Sequence, residues 1–376
     1  MKIACLGPAV PYRGGIAQFN RRLATQLALA NECFLVNFSR LYPQILFPGK
    51  TQFAENDRPT DIPNHRVIDS LHPLTWLKTV DIILKSQADI VLFHWWHPFF
   101  APAYRVISGR LGNSIKKIAV CHNLLPHEAG PGLRRAVKLG LGRMDGLILH
   151  SRDEHTSALH CFPKAQSALA FHPLYDQFPG EDIPKSQARQ RLGLDEDSKI
   201  ILYFGLIRPY KGVDVLIEAL LKLKMDVNLK ALIVGEIYKG CESIRERLKQ
   251  LPADRVLLID KFVPDNEVAV YFRAADLVVL PYKSATQSGV IPIAYRCRRP
   301  VVATRVGGLP EAVEDGLSGW LVPPNNADEL ARAICCYFSE LNTPDMEAGI
   351  ETIAKRLTWE RYVEVLSDLA ASIKPN

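Results

Sequence analysis

Short runs of consecutive apolar residues recur along this chain with helix-length amphipathic stretches between them, the alternation expected of a parallel sheet covered on both faces. In the first half the runs are Lys2–Gly7, Cys33–Phe38, Ile90–His94, Lys117–Cys121 and Gly146–His150. In the second half they are Ile200–Phe204, Lys230–Val234, Val256–Ile259, Leu277–Leu280 and Val301–Thr304. The pattern predicts an α/β chain with two doubly wound parallel sheets, one in each half. Between them, the segment from Phe171 to Pro184 is dense in proline and acid and follows neither period, so it reads as a linker. Gly14-Gly15 opens a predicted helix that keeps Ile16, Phe19 and Leu23 on one face, and Thr358 caps a terminal helix with apolar residues at helical spacing. The region from Ser39 to Leu71 holds several prolines and little periodicity, and is expected to be a long loop. The expected divisions are 1–170, 171–357 and the helix 358–376.

Length agrees with this division, because 376 residues exceed what one ordinary core serves. Hydrophobic residues at 48% with charged residues at 23% are the balance of a globular protein in water. No run approaches the about eighteen apolar residues that a membrane helix requires. The first residues read as a strand entering a turn and not as a signal peptide, so a cytoplasmic protein is expected. Eight cysteines form no Cys-x-x-Cys pair and read as small apolar residues in a reducing compartment. Charge changes the picture more. Residues 1–170 carry 20 Lys and Arg against 11 Asp and Glu, whereas the remainder carries 26 against 29, and all ten histidines fall between His65 and His172. The basic first half suits an anionic partner such as a lipid headgroup, an anionic membrane face or a phosphorylated acceptor. Nucleic acid is disfavoured, because the cations are scattered without a basic helix or an aromatic ladder.

The strand from Ile200 runs into Gly205-Leu-Ile-Arg208-Pro-Tyr-Lys211-Gly212. Two cations then stand beside the free N–H groups of a helix start, where a phosphate or diphosphate binds, although a solvated pair at an ordinary helix start has the same spacing. Gly14 and Gly15 let backbone N–H groups approach a bulky ligand at the end of the first strand; a merely tight strand–helix turn uses glycine in the same way, and G-x-G-x-x-G is absent. Cys121-His122-Asn123 ends another strand, and His122 suits a sugar hydroxyl, proton movement or a structural hydrogen bond. Phe93-His94-Trp95-Trp96-His97 offers imidazoles and aromatic surfaces, with alternate residues committed to core. Ser284-Ala285-Thr286-Gln287-Ser288-Gly289-Val290 leads into an apolar helix and forms a second anion-receptive helix start.

Taken in order, Gly14-Gly15, His122-Asn123, Gly205-x-x-Arg208-x-x-Lys211-Gly212 and Pro300-Val-Val-Ala-Thr304 with Gly307-Gly308-x-x-Glu311 and Gly316-x-x-Gly319 resemble the retaining glycosyltransferases of family 4. The resemblance extends over essentially the whole chain. It implies the GT-B architecture, two Rossmann-like domains facing across a cleft, with a nucleotide diphosphate sugar held mainly by the C-terminal domain. The acceptor, a glycan or a lipid-linked molecule, is held mainly by the N-terminal one. On the same resemblance Arg208 and Lys211 neutralise the departing diphosphate, Gly205 belongs to that donor turn, and Gly14 and Gly15 bring N–H groups to the donor. His122 lies near the sugar and the acceptor, with Asn123 and His94 on the acceptor side, and the terminal helix returns to the first domain. By position after the third strand of the second sheet, backbone around Phe262 and Val263 is expected to flank the base.

One departure matters. Family members carry two glutamates before the Pro-Val-Val-Ala block, at positions that Ala285 and Ile293 occupy here. Thr286, Gln287 and Ser288 are then the expected sugar contacts, with the N–H groups of Gly289 and Val290 on the phosphate. The implied reaction is transfer to an acceptor hydroxyl with retention, with no protein nucleophile, no cofactor and no metal, in surface polysaccharide or glycolipid synthesis at the inner membrane face. Loss of the glutamates leaves open a non-catalytic nucleotide-sugar-binding partner subunit, and epimerases and sugar phosphorylases use the same architecture.

Overall fold

The computed structural model describes the chain apart from residues 48, 55–60, 126–130, 177, 179–181, 224–227, 340–344 and 375–376. The chain divides into two compact units, Met1–His172 with Trp359–Asn376, and Pro173–Thr358.

The first unit is built on strands β1 (Lys2–Leu6), β2 (Glu32–Arg40), β3 (Asn64–Asp69), β4 (Ile90–Trp95), β5 (Lys116–Cys121), β6 (Gly146–Leu149) and β7 (Gln166–Leu169), in the order β3-β2-β1-β4-β5-β6-β7. Each pairing is parallel. Period-two alternation sorts the side chains of β1 into two cores: Ala4 and Leu6 pack with Trp76 and Tyr104, while Ile3 and Cys5 pack with Phe19, Leu23 and Leu27 of the helix Gly15–Leu27. That second core also takes Trp359, Tyr362, Leu366 and Leu369 from the terminal helix Trp359–Ser372, so the last helix of the chain belongs to the first unit.

The second unit holds β8 (Lys199–Phe204), β9 (Leu229–Val234), β10 (Val256–Ile259), β11 (Leu277–Leu280), β12 (Val301–Thr304) and β13 (Gly319–Val322), in the order β10-β9-β8-β11-β12-β13. These pairings are parallel too. Strands such as Leu-Val-Val-Leu in β11 are buried along their whole length, which is why they read as unbroken apolar runs.

Three strands escape that reading. β3 and β7 are the two edges of the first sheet and β13 is an edge of the second. An edge strand has one paired neighbour and a partly wet face, and β3 and β7 are mostly not buried, so neither carries an apolar run. The stretch Ser39–Leu71, expected as a loop, accordingly contains the end of β2, a 3₁₀ turn at Gln44–Leu46 and β3. The expected linker is also more than a spacer, because His172 packs against Phe19 in the first unit and Tyr175 is buried in the second. Among the described residues no helix is long and apolar enough to cross a membrane.

Candidate functional site

In the second unit the site is built from the ends of β8 and β11, which are neighbours in the sheet. After β8, Gly205 takes a φ of 119° and gives its N–H to Val234 O at 2.9 Å, so that N–H is already committed to β9. A 3₁₀ turn, Pro209–Lys211, follows, and Gly212 at φ 68° starts the helix Val213–Lys222. Glycine is required at 212 because a Cβ there would stand 1.9 Å from Pro281 O, beyond the end of β11. Lys283 N–H donates to Tyr210 O at 2.8 Å and Lys283 pairs with Asp214 at 2.5 Å, so the two loops are tied together.

This junction holds both expected cations on aromatic faces. Lys211 Nζ lies 3.6 Å from the ring centre of Tyr282, and the Arg208 guanidinium lies 4.5 Å from that of Tyr238. Neither cation meets a carboxylate among the described residues, and Arg208 Nε is buried without a hydrogen-bond partner. Burial lowers the Lys211 ammonium to about 8. An aromatic face steadies a cation without cancelling its charge, so both remain available to an anion.

The loop that replaces the expected glutamates lies next to them. Tyr282 OH is 3.2 Å from Ser288 Oγ, and Ser288 Oγ accepts from Val290 N–H at 3.3 Å, so that N–H is directed at serine. Ala285 and Ile293 are buried apolar residues. Gly307 and Gly308 seat this loop: a Cβ on Gly307 would be 1.7 Å from Ala285 O, one on Gly308 would be 2.1 Å from Gln287 Nε2, and Gly308 N–H donates to Thr286 O at 2.9 Å. Gly205 stands beside Val290, and Gly289 beside the ring of Tyr175. Val263 is buried after β10, two strands from β8 in the sheet order.

The first unit carries a second constellation at the corresponding edge of its own sheet. Gly14, at φ 107°, precedes the helix Gly15–Leu27, and nothing lies within 4 Å of where its Cβ would be. The loop before it is fixed by amides: Asn37 bonds Ala9 N–H, Ala9 O and Val10 O, and Asn64 bonds Val10 O. His94 is the penultimate residue of β4, His122 follows β5, His150 follows β6 and His172 follows β7, so neighbouring strands each deliver an imidazole. Phe19 sits among them, with ring centres 4.9 Å from His122 and 5.0 Å from His172. His94 Nδ1 and His122 Nε2 are 2.9 Å apart, and His150 Nε2 is 3.0 Å from Tyr362 OH. Burial lowers His94 to about 3 and pushes His122 and His150 well below the ordinary histidine value.

His94 was expected on the acceptor side, but its side chain is 0% exposed and its polar contact is with His122. Asn123 is half-buried next to His122, while Pro126, His127 and Glu128, part of the same motif, lie outside the described residues.

Comparison with known proteins bears directly on this arrangement. The family model described as glycosyl transferases group 1 matches residues 198–340. A D-inositol 3-phosphate glycosyltransferase of Geodermatophilus obscurus is 35% identical over 204 residues, covering 50% of this chain and 45% of that protein. That of Thermobifida fusca is 30% identical over 310 residues, covering 75% of this chain and 69% of that protein. This chain belongs to the group 1 glycosyltransferases. The fold of HepE from Anabaena, solved in complex with UDP-glucose, superposes with a TM-score of 0.77 at 20% identity over 99% of this chain and 100% of that one, which identifies the architecture as GT-B.

Within this glycosyltransferase, the sequence pointed to Arg208, Lys211 and His122 as candidates but not to the side chains that contact them. Tyr238 lies 30 positions beyond Arg208, after a different strand, so no local spacing joins the two. Tyr282 directly follows Leu280-Pro281, and an aromatic residue at the end of a buried strand was the one available signal. His150 and His172 become visible once β6 is known to neighbour β5 and β7 to neighbour β6.

Proposed function

We propose that this glycosyltransferase moves a sugar from a nucleotide diphosphate sugar to an acceptor hydroxyl with retention of configuration. The observation that carries the proposal is the pair of cations, Arg208 and Lys211, held on tyrosine faces with no carboxylate to neutralise them among the described residues. A departing diphosphate supplies the missing anion, and the cations stabilise it most where its charge is greatest, in the transition state. The bond between the anomeric carbon and the diphosphate breaks, and a bond to the acceptor oxygen forms on the same face. The acceptor's proton passes to the departing phosphate, so no protein nucleophile takes part. On this reading Thr286, Gln287 and Ser288 read the sugar in place of the two glutamates.

HepE was solved with UDP-glucose, so UDP-sugars are the first donors to try. The relatives named D-inositol 3-phosphate glycosyltransferase suggest a phosphorylated acceptor, which suits the excess of cations in residues 1–170. A lipid-linked acceptor at an anionic membrane face is the related reading, favoured by the helix Pro131–Leu141, where Arg134, Arg135, Lys138 and Leu139 are all exposed. On this reading the enzyme works in polysaccharide or glycolipid synthesis at the cytoplasmic face of a membrane.

The test is transfer from a UDP-sugar with and without chelator, with the anomeric configuration of the product read by NMR. Retained configuration, activity unchanged by chelator and a loss of about tenfold or more in Lys211→Ala are expected, the last from one lost charge-assisted contact. An inverted product or a chelator-sensitive enzyme contradicts the mechanism. Donor binding without transfer to any acceptor favours the non-catalytic subunit, a reading suited to the apolar Ala285 and Ile293.

A further inference from the structure

The four imidazoles at the edge of the first sheet are not equivalent. His94 is the deepest, with no exposed surface, and its backbone is fixed on two sides. Tyr104 OH donates to His94 O at 2.7 Å, and Gly7 in the β1 turn is so close that a Cβ there would be 2.8 Å from His94 Cβ. Its ring lies nearly parallel to that of His122, at an interplanar angle of 16°, with Nδ1 2.9 Å from His122 Nε2. His94 Nε2 is buried and has no hydrogen-bond partner among the described residues.

A neutral imidazole carries one N–H and one acceptor nitrogen, so the shared contact admits two arrangements. If His94 held its proton on Nε2, a buried donor would have nothing to bond. If the proton is on Nδ1, that donor is paired with His122 Nε2 and only an acceptor lone pair goes unfilled. Buried N–H groups without a partner are the rarer case, so the second arrangement is the better one. His122 must then carry its own proton on Nδ1, which has no hydrogen-bond partner among the described residues.

We propose that His94 is a positioning residue that locks His122 in the Nδ1–H tautomer, so that His122 meets a substrate oxygen as a neutral hydrogen-bond donor and not as a base. The inference rests on the reading that His122 faces the sugar or the acceptor. Its surroundings favour the neutral state: burial penalises a charge on the ring, Phe19 lies against it, and no carboxylate meets it among the described residues. A base at this position would need its lone pair on the nitrogen that faces substrate, and the His94 contact puts a proton there instead.

The tautomer is read by long-range ¹H–¹⁵N correlation of the imidazole rings in the full-length protein, with the His122 signals assigned by their loss in His122→Asn. Protonated Nδ1 and bare Nε2 on His122 between pH 6 and 8 are expected; protonated Nε2, or both nitrogens protonated, overturns the proposal. This reading is independent of turnover, so an inactive protein with the expected tautomer defeats the assigned activity and not the lock. The kinetic arm compares His94→Asn, whose amide can donate from near the place of Nδ1, with His94→Leu. The asparagine variant should keep kcat/KM within about threefold of wild type and the leucine variant should lose about tenfold or more, at equal far-UV circular dichroism. Equal loss in both, or none in the leucine variant, overturns the positioning role, and if the leucine variant does not fold the wild-type spectrum still decides.

Discussion

Replacing Tyr282 by leucine removes the face on which Lys211 rests and leaves the lysine itself in place. The ring is 0% exposed and Lys211 Nζ is 3.6 Å from its centre, so the contact is a largely desolvated one. Such a contact contributes about 2 kcal/mol, equivalent to about 30-fold in an equilibrium constant. Donor affinity should therefore fall by about 10- to 30-fold in Tyr282→Leu. Tyr282→Phe keeps the face and loses only the hydroxyl contact with Ser288, at a cost of about 0.5–1.5 kcal/mol, and should bind donor better than the leucine variant. Leucine also leaves a cavity that costs about 2–4 kcal/mol of stability, so affinity has to be measured well below the melting temperature. Titration calorimetry with the nucleoside diphosphate is the assay, repeated in a Lys211→Met background. There the loss caused by Tyr282→Leu should nearly vanish, giving a coupling of about 1–2 kcal/mol. The same loss in both backgrounds would refute the idea that the ring works through Lys211.

Other consequences follow from the same geometry. Lys211, lowered by burial to about 8, is charged below that pH and neutral above it, so kcat/KM for the donor should fall on a limb near pH 8 that is absent in Lys211→Arg; an unchanged limb in that variant would assign it elsewhere. Because this folded value lies below the ordinary lysine value, the burial cost acts at pH below about 8 and is relieved as pH rises above it, so thermal stabilisation by donor should shrink from pH 8 to 9.5. Gly212→Ala should lose about 2–4 kcal/mol in denaturant unfolding, since alanine meets Pro281 O at 1.9 Å at a φ of 68°; a loss below about 0.5 kcal/mol would mean that the two loops are not tied as described. His94 is lowered to about 3 in the folded state, so its contribution is complete above the unfolded value near 6.5 and is lost as pH falls below it. That is about 2 kcal/mol at pH 5, a drop in melting temperature that His94→Asn should reduce.

The buried strands were legible because burial on both faces leaves an apolar run, and Val256–Ile259, Leu277–Leu280 and Val301–Thr304 have the same limits in sequence and structure. β3 and β7 were not, since an edge strand such as Asn64–Asp69 shares the composition of a loop. Arg208 and Lys211 were legible from local spacing beside a glycine. Their tyrosine supports were not, because Tyr238 and Tyr282 reach them through strand order, which single-chain patterning does not encode. The histidines illustrate the same limit. Their clustering between His65 and His172 is plain in the sequence, but the contact of His94 with His122 depends on β4 lying next to β5.

Arg208 and Lys211, which meet no carboxylate among the described residues, are proposed to receive a nucleotide diphosphate sugar. That proposal is tested most directly by thermal stabilisation of the purified protein across UDP-, GDP-, ADP- and TDP-sugars, with Lys211→Ala measured alongside. A selective upward shift with one nucleotide, lost or strongly reduced in the variant, is expected. No shift with any donor, or an equal shift in the variant, would contradict the proposal.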